Sequence, residues 1–268
     1  MKKIYDALVT GIREHFHGCG FQKALLGLSG GIDSALVATL AAEALGRENV
    51  RGISMPSQYS SQHSKDDARD LAANLGIRYD VVPIGRCFET LKAELAPIFE
   101  GLPEGLAEEN MQARLRGIIL MSVSNKLGGM VLATGNKSEV SVGYCTLYGD
   151  TCGGLAPISD LYKTEVYQLS YWINERFGRA VIPVSTLTKA PSAELRPGQK
   201  DQDSLPPYDV LDAVLKLYNE ERKTESEIVG RGGYEPATVK RVLELVCKNA
   251  YKRKQLPPGL PLRHLFEK

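Results

Sequence analysis

The 268-residue sequence lacks a strong net charge and any long apolar run. Its 33 Lys and Arg residues nearly balance its 32 Asp and Glu residues, so no global field would attract nucleic acid or an anionic membrane. No apolar run approaches the length that spans a bilayer. The basic start is not a signal peptide, because Tyr5, Asp6 and Arg13 interrupt the stretch after it. We therefore expect neither nucleic acid nor a membrane among its partners.

Cysteine is scarce and scattered, with five residues and no Cys-x-x-Cys pair. An odd count at irregular spacing fits neither a disulfide framework nor a zinc site. A reduced, cytoplasmic setting is the simplest inference.

What the sequence does contain is a glycine turn at residues 27–34, between the apolar run 24–26 and the apolar stretch 35–42. This order predicts a buried strand, a tight turn and a helix. Adjacent glycines let the backbone bend where side chains would clash. Because open N–H groups and the helix dipole favour anions at a helix start, a phosphate chain is the expected ligand.

The turn is not a Walker A motif, which needs Lys and Ser or Thr after its last glycine. Asp33 stands near that place instead. A carboxylate repels a phosphate chain unless a cation lies between them, so Asp33 predicts bound Mg²⁺. An ordinary turn before a helix is the simpler alternative, but the complete octet after a strand favours a nucleotide site.

Strand and helix patterns alternate along the first half of the chain. Strands are predicted at 24–26, 49–56, 78–83 and 129–134, and helices at 2–17, 65–75, 88–99 and 108–127, with Ser64 as a helix cap. We therefore expect an α/β fold with a doubly wound, Rossmann-like parallel sheet and helices on both faces. Ligands of such sheets bind at the carboxyl ends of the strands.

Three charged residues after the fourth strand are further candidates. Glu139 could give the metal a second carboxylate. Asp150 lies at the centre of the glycine-rich segment 142–154, which predicts a loop that approaches a ligand closely. Lys163 stands at a helix start, where the dipole disfavours cations, and this suggests a bound anion.

The second half contains a polar, proline-rich segment at 191–207. It predicts either a lid over the site or a disordered linker. Only helices follow, at 208–218, 225–229 and 236–250, and they could cover one face of the same sheet. We therefore expect one domain over residues 1–268, with a mobile lid at 193–207 and a basic tail at 251–268.

In this order the motifs resemble the NAD⁺ synthetases, members of the ATP pyrophosphatase superfamily, over nearly the whole chain. The resemblance implies an adenine nucleotide α-hydrolase-like fold. The motifs that carry it are residues 29–34, Asn110-x-Gln112-Ala113-Arg114, 134–139, 148–150, Lys163, 191–194 and 251–253.

The resemblance implies a two-step ligase reaction. The nicotinate carboxylate of deamido-NAD⁺ attacks the α-phosphorus of ATP, which releases pyrophosphate and leaves an adenylated intermediate. Ammonia then displaces AMP and forms the amide of NAD⁺. Members of the family are typically homodimers, so a homodimer is expected here too.

The resemblance also assigns roles to individual residues. Asp33 and Glu139 would bind Mg²⁺, and Arg114 and Lys252 would contact deamido-NAD⁺. The catalytic residues would be Asp150, near the ammonia site, and Lys163, which also contacts ATP phosphates. The full set implied to bind ATP is Gly27, Leu28, Ser29, Gly30, Gly31, Ile32, Asp33, Ser34, Thr134, Lys163 and Ser192.

Three positions depart from the ammonia-using members. Leu147 stands where many carry lysine, Gly154 replaces their dinucleotide-binding acid, and Tyr251 replaces a histidine. Residues 134–139 and 145–150 look more like the synthetase part of the glutamine-dependent branch, which carries an amino-terminal glutaminase. Nothing here is long enough to be one. Either free ammonia is used, or a separate glutaminase supplies it, or the chain is a fragment.

Two other functions fit parts of the pattern. Another ATP pyrophosphatase, either a tRNA-modifying or a GMP-synthetase-like enzyme, would share the loop. A tRNA-modifying enzyme should also have a cysteine pair or a basic RNA-binding face, and neither is evident. A non-catalytic nucleotide-binding subunit would keep the loop but would not need Asp33, Glu139 and Lys163 together.

Overall fold

The computed structural model describes residues 1–266. Four parallel strands form one sheet in the order β3-β2-β1-β4, where β1 is Ala24–Gly27, β2 Val50–Ser54, β3 Arg78–Val81 and β4 Met130–Val131. Ala24 pairs with Val50 on one side and with Met130 on the other. The predicted parallel, doubly wound sheet is confirmed. Since the strand order reverses between β1 and β4, the loops that follow these two strands flank the switch point where such folds bind ligands.

The α-helices of residues 1–266 follow in chain order. They are α1 Lys2–Gly18, α2 Ile32–Leu45, α3 Gln62–Leu75, α4 Gly85–Phe99, α5 Leu106–Leu127, α6 Lys137–Val142, α7 Lys163–Phe177, α8 Val184–Thr188, α9 Tyr208–Asn219, α10 Glu225–Gly230, α11 Pro236–Lys248 and α12 Ala250–Arg253. Short 3₁₀ turns occur at Arg47–Asn49, Asp201–Asp203 and Arg263–Leu265. Within the described residues, no helix has both the length and the apolar character needed to cross a bilayer.

The two faces of the sheet are buried in separate cores. Successive strand residues point to opposite faces, so Leu26 packs with α1, α2 and α7, whereas Leu25 and Val131 pack with Leu120 of α5. Both faces are therefore covered by helices, as the sequence predicts. The inner strand β1 is apolar without alternation, whereas the edge strand β3 carries Arg78 and Asp80 and is partly exposed.

Helix α2 is buried almost all round, since it lies on the sheet and beneath α1 and α7. This explains the absence of an amphipathic pattern in residues 35–42. The first turn of α2 carries Asp33 and Ser34, so the glycine turn is anchored to a helix that is buried almost all round.

The helices after residue 207 do not cover a face of the sheet, and that expectation was wrong. Helices α9, α10 and α11 form a third core of their own and pack on α6 and α7. Val142 and Tyr162 enter this core from α6 and from the residue before α7. The apolar faces of the three helices therefore bury one another, and the layer supports the elements that carry Glu139 and Lys163.

Several element boundaries differ from the predicted ones, and two of the differences have a clear cause. Helix α3 begins at Gln62 and is capped by Ser61, whose hydroxyl accepts the N–H of Ser64 at 3.2 Å, so the predicted cap at Ser64 was wrong. Strand β4 is shorter than 129–134, because beyond it Leu132 makes only a single bridge to Leu155. The predicted tail at 251–268 begins inside α12, and its residues 267–268 lie outside the described part of the chain.

Candidate functional site

A cavity of about 300 Å³ opens at the carboxyl ends of β1, β2 and β4. The volume is at the lower end of the range for small-molecule sites. The residues predicted to bind ATP line it, apart from Gly30, and so do Glu139 and Asp150. The remaining wall comes from the end of β2, from α5 and from residues 189–195.

The glycine turn is shaped by contacts that exclude side chains. Gly30 has a left-handed φ of +82°, and a β-carbon there would lie 2.2 Å from the carbonyl oxygen of Ser64. The Ser29 hydroxyl accepts the N–H of Gly31 at 3.1 Å, and the Ser34 hydroxyl donates to the Gly31 carbonyl at 3.0 Å. The hydroxyl groups thus hold the turn closed against the start of α2.

The centre of the site is a buried ammonium group between two carboxylates. Nζ of Lys163 lies 2.5 Å from Oδ2 of Asp33 and 2.9 Å from Oε1 of Glu139. Lys163 is only 2% exposed. The three residues come from the first turns of α7, α2 and α6, so three elements distant in sequence meet at one point.

Polar groups that the sequence did not reveal surround this centre. The Asn136 side chain donates to Oδ1 of Asp33 at 2.9 Å. The Tyr208 hydroxyl lies 3.4 Å from Glu139 and donates to Asp201 at 2.8 Å. Asp201 lies within the irregular segment 191–207, and Tyr208 is the first residue of α9. No sequence motif marks either of them.

The charges in this cluster do not balance. Asp33, Glu139 and Asp201 face the single ammonium of Lys163. Burial raises the pKa of Glu139 to about 7; Lys163 opposes this shift, and the charges of Asp33 and Asp201 reinforce it. Burial would lower the pKa of Lys163, but Asp33 and Glu139 outweigh it and raise that pKa, so the ammonium stays charged. The cluster would gain from a further cation.

The donor set fits Mg²⁺ on these grounds. Asp33 and Glu139 both contact the Lys163 ammonium, so their carboxylate oxygens, the ligands this ion prefers, lie close together at the cavity wall. Among residues 1–266, no three His, Cys, Asp or Glu side chains form a metal cage by themselves. Mg²⁺ commonly takes one or two carboxylates and completes its shell with phosphate and water.

A second carboxylate, that of Asp212, acts together with Ser138 to stabilise the helix start at Lys163. The Lys163 backbone N–H donates to Oγ of Ser138 at 2.8 Å, and the N–H of Thr164 donates to Oδ2 of Asp212 at 2.8 Å. The Ser138 hydroxyl in turn donates to Asp212, which is only 2% exposed. These acceptors satisfy N–H groups of the first turn and place negative charge at the dipole's positive end. They offset the cost of a lysine there.

Asp150 occupies another part of the cavity wall. Its Oδ1 accepts the N–H of Thr146 at 2.6 Å. Surrounding protein raises the pKa of Asp150 to about 6 by burial, and the N–H groups of Thr146 and Thr151 oppose the shift. Since the residue is also exposed to the open cavity, the shift reflects the enclosed setting and not a fully dry side chain.

Two of the residues assigned by resemblance lie outside the cavity wall. Arg114 is exposed on α5 and donates from Nε to the Leu147 carbonyl at 3.3 Å. Lys252 donates to the carbonyls of Gly143 and Cys145 at 2.7 and 2.8 Å. Neither lines the cavity, whereas Thr134 and Ser192 do.

Residues 189–195 close one side of the cavity through hydrogen bonds to α3 and α5. The Glu194 carboxylate accepts the hydroxyls of Ser61 and Ser64 at 2.7 and 2.8 Å. The buried Gln112 side chain donates to the Leu195 carbonyl at 2.8 Å. The segment therefore spans the gap between the two helices, and its mobility stays a prediction.

The structure shows what surrounds two of the three positions that depart from the ammonia-using members. A β-carbon at Gly154 would lie 2.8 Å from Cγ of Met130, so an acid there would require the Met130 side chain to shift. The Leu147 carbonyl accepts the hydrogen bond from Arg114. Tyr251 is 54% exposed, and nothing in the structure explains its replacement of a histidine.

The family model for NAD synthase matches residues 4–256. The chain belongs to the NAD synthase family. It is 54% identical over 259 residues to the glutamine-dependent NAD⁺ synthetase of a Synechocystis species, an alignment that covers 97% of this chain and 46% of that protein. The chain thus spans about half the length of the curated relatives it matches. The resemblance inferred from the motifs is confirmed.

Two solved structures extend the comparison. The glutamine-dependent NAD⁺ synthetase of Acinetobacter baumannii, in complex with ADP, is 43% identical with a TM-score of 0.69 and covers 94% of this chain and 45% of that one. The NH₃-dependent NAD synthetase of Campylobacter jejuni is 28% identical with a TM-score of 0.75, and covers 96% of both chains. The predicted nucleotide α-hydrolase-type fold is therefore confirmed.

We expect Gly30→Ala to lower the free energy of unfolding by about 1–3 kcal/mol, because the new methyl group meets Ser64 and the backbone is left-handed. The matched control is Gly18→Ala, where no atom lies within 4 Å of the added β-carbon and helix propensity improves. Denaturant unfolding curves measure both. Equal stability of the two variants would contradict the close approach at Gly30.

Proposed function

We propose that this chain catalyses the ATP-dependent amidation of deamido-NAD⁺ to NAD⁺, with release of AMP and pyrophosphate and with ammonia as nitrogen donor. One observation carries the proposal. A glycine turn suited to phosphate and the cluster of Asp33, Glu139 and Lys163 line the same cavity. Membership of the NAD synthase family supports it, as do relatives named as NAD⁺ synthetases.

ATP is proposed to bind with its phosphates at residues 27–34. The start of α2 offers N–H groups and the positive end of a helix dipole. Thr134 and Ser192 line the cavity on its other sides and are proposed as further contacts. The ADP bound to the Acinetobacter baumannii relative supports an adenine nucleotide here.

Asp33 and Glu139 are proposed to hold Mg²⁺ against these phosphates. The bound ion would neutralise charge on the triphosphate and on the departing pyrophosphate. Lys163 adds a permanent positive charge at the same point, because its ammonium is buried and stays protonated. Charge that develops on the leaving group is therefore met by fixed groups of the protein.

The first step forms a bond between a nicotinate carboxylate oxygen and the α-phosphorus, and breaks the bond to pyrophosphate. The chain's contribution is to align two anionic reactants that would repel each other in water. Arg114 and Lys252 lie outside the cavity wall, so we propose that they hold the distal part of the dinucleotide. Residues 193–207 are proposed as the lid that keeps water from the adenylate.

The second step needs an uncharged nitrogen nucleophile. Ammonium must lose a proton before it attacks the adenylated carbonyl carbon, and AMP then leaves. Asp150 is proposed as the proton acceptor, because its raised pKa of about 6 makes it a stronger base than an ordinary aspartate. Ammonia, either free or supplied by a separate glutaminase, is proposed to enter at this loop.

A second copy of the chain is proposed to cover an exposed apolar surface on and between α4 and α5. Ile98, Leu102 and Leu106 are 71%, 75% and 71% exposed, and Ile118 is 60% exposed. A surface of this kind marks an interaction site.

All five cysteines are free thiols, which supports the reducing cytoplasm as the proposed compartment.

Purified chain with ATP, Mg²⁺, deamido-NAD⁺ and ammonium should form AMP and NAD⁺ in equal amounts. Chromatography of the nucleotide products measures both. Glutamine should not replace ammonium when residues 1–268 are assayed alone, because residues 4–256 match the NAD synthase family model. Formation of ADP would contradict cleavage between the α and β phosphates.

The control for this assay is Asp33→Asn. The substitution removes a carboxylate charge but keeps the size of the side chain, so the rate should fall at least about tenfold as metal and phosphate binding weaken. Wild-type rates at saturating Mg²⁺ would reject Asp33 as a metal ligand.

We expect the amidation rate to fall at acid pH because Asp150 is protonated below about pH 6 and cannot then accept a proton. Free ammonia also varies with pH, so the readout is the ratio of wild-type to Asp150→Asn rates. This ratio should rise through about pH 6 and then level off.

The same variant separates chemistry from folding. A raised pKa means that ionisation of Asp150 is less favourable in the folded chain than in the unfolded one. Asp150→Asn should therefore keep or raise the free energy of unfolding at neutral pH while it lowers turnover. A pH-independent rate ratio would reject Asp150 as the base.

The wild-type chain should have the mass of a dimer by light scattering at micromolar concentration. Ile118→Glu should shift it toward the monomer, since a charge would be buried in the proposed interface. Val184→Glu is the matched control, because Val184 is also 60% exposed and lies on α8. A monomeric wild-type chain would contradict the dimer.

A further inference from the structure

Helix α5 carries Arg114, the last residue of the motif at 110–114, and Arg116, and only Arg116 reaches the cavity. Arg114 is exposed and faces the Leu147 carbonyl. Arg116, two residues further on, lines the cavity. Residues two apart on a helix do not share a face, so the two guanidinium groups cannot serve the same ligand atoms.

The position of Arg116 is set by one hydrogen bond to the end of the sheet. Its Nε donates to the Met55 carbonyl at 3.0 Å, immediately after β2. A guanidinium group has five N–H donors, and this bond uses only the one on Nε. Within residues 1–266 the two terminal NH₂ groups donate no hydrogen bond, so they remain available to a ligand at this edge of the sheet.

The two carboxylates whose charges act on Arg116 already accept hydrogen bonds from other donors. The pKa of Arg116 is lowered to about 10 by burial, and Glu194 and Asp150 oppose that shift. Glu194 accepts the hydroxyls of Ser61 and Ser64, and Asp150 accepts the N–H of Thr146. Within residues 1–266 no carboxylate oxygen lies within 4.0 Å of the Arg116 guanidinium.

Arg116 and Asp150 belong to one tightly packed wall. A β-carbon on Gly117 would lie 2.5 Å from the Tyr148 carbonyl oxygen, and one on Gly149 would lie 2.8 Å from Cβ of Ala113. Helix α5 and the loop that carries Asp150 therefore meet without room for side chains. The backbone segments that carry Arg116 and Asp150 are therefore in direct contact, and both residues line the cavity.

We propose that Arg116 is a substrate-binding residue that grips an oxyanion of the bound nucleotides beside Asp150. Two parallel N–H groups match the two oxygens of a phosphate or a carboxylate, which a lysine cannot do as a point charge. The ligand group is either an ATP phosphate or an anionic group of deamido-NAD⁺. The identity of these two ligands rests on the proposed function.

The test is calorimetric binding of ATP with Mg²⁺, and separately of deamido-NAD⁺, to Arg116→Gln. Loss of a charge-assisted bidentate contact should weaken at least one of them by roughly tenfold to a hundredfold. A loss confined to ATP assigns the contact to its phosphates, and a loss confined to deamido-NAD⁺ assigns it to that substrate. Unchanged affinity for both would overturn the proposal.

The matched control is Lys126→Gln, which removes an exposed charge from the same helix and should bind both ligands as the wild type does. An equal loss in the control would overturn the specific role. If Arg116→Gln does not unfold cooperatively, Arg116→Lys replaces it, and wild-type affinity for both ligands again overturns the proposal.

The outcome is separable from the assay of NAD⁺ formation. If the wild-type chain makes no NAD⁺ but Arg116→Gln still loses nucleotide affinity, the proposed reaction fails and the binding role stands. If the wild-type chain makes NAD⁺ and the variant binds both ligands normally, the reaction stands and the role of Arg116 fails.

Discussion

The structure depends on one buried ammonium group held between two carboxylates. Lys163 joins Asp33 and Glu139, so the first turns of α2, α6 and α7 meet at a single point. An unpaired carboxylate in this position would be costly to bury, and so would an unpaired lysine. Negative charge nevertheless exceeds positive charge once Asp201 is included. This excess of negative charge is costly to bury, and it also favours binding of a divalent cation together with a polyphosphate.

Packing away from the cavity keeps this arrangement in place. Helix α2 is buried between the sheet and two helices, so Asp33 starts from a rigid element. Lys163 is kept at its helix start by Ser138 and by Asp212, which comes from α9. The layer of helices after residue 207 is therefore tied to the site, even though it does not touch the sheet. Its role is to position the lysine and not to complete the sheet.

Much of the architecture could be predicted because it is encoded locally. Apolar runs, glycine turns and alternating strand and helix patterns indicate the parallel sheet, and the glycine turn with Asp33 indicates the nucleotide edge. The start of α3 was predicted wrongly because Ser61 and Ser64 are both capable caps, and local pattern alone cannot rank them. The position of the layer formed by α9 to α11 was also predicted wrongly. An amphipathic pattern indicates that one face of a helix is buried, but it does not indicate which element covers that face.

The sequence by itself determined the fold class, the glycine turn and the acidic and basic residues that belong to a phosphate site, because each of these follows from neighbours along the chain. Tertiary structure alone decided which charged groups meet. Asp201 joins the cluster from a segment without periodicity and Tyr208 joins it from the first residue of α9. Arg116 reaches the cavity where Arg114 does not. The reason is physical: side-chain charge is a property of one residue, whereas proximity between distant residues is set by how helices pack on the sheet.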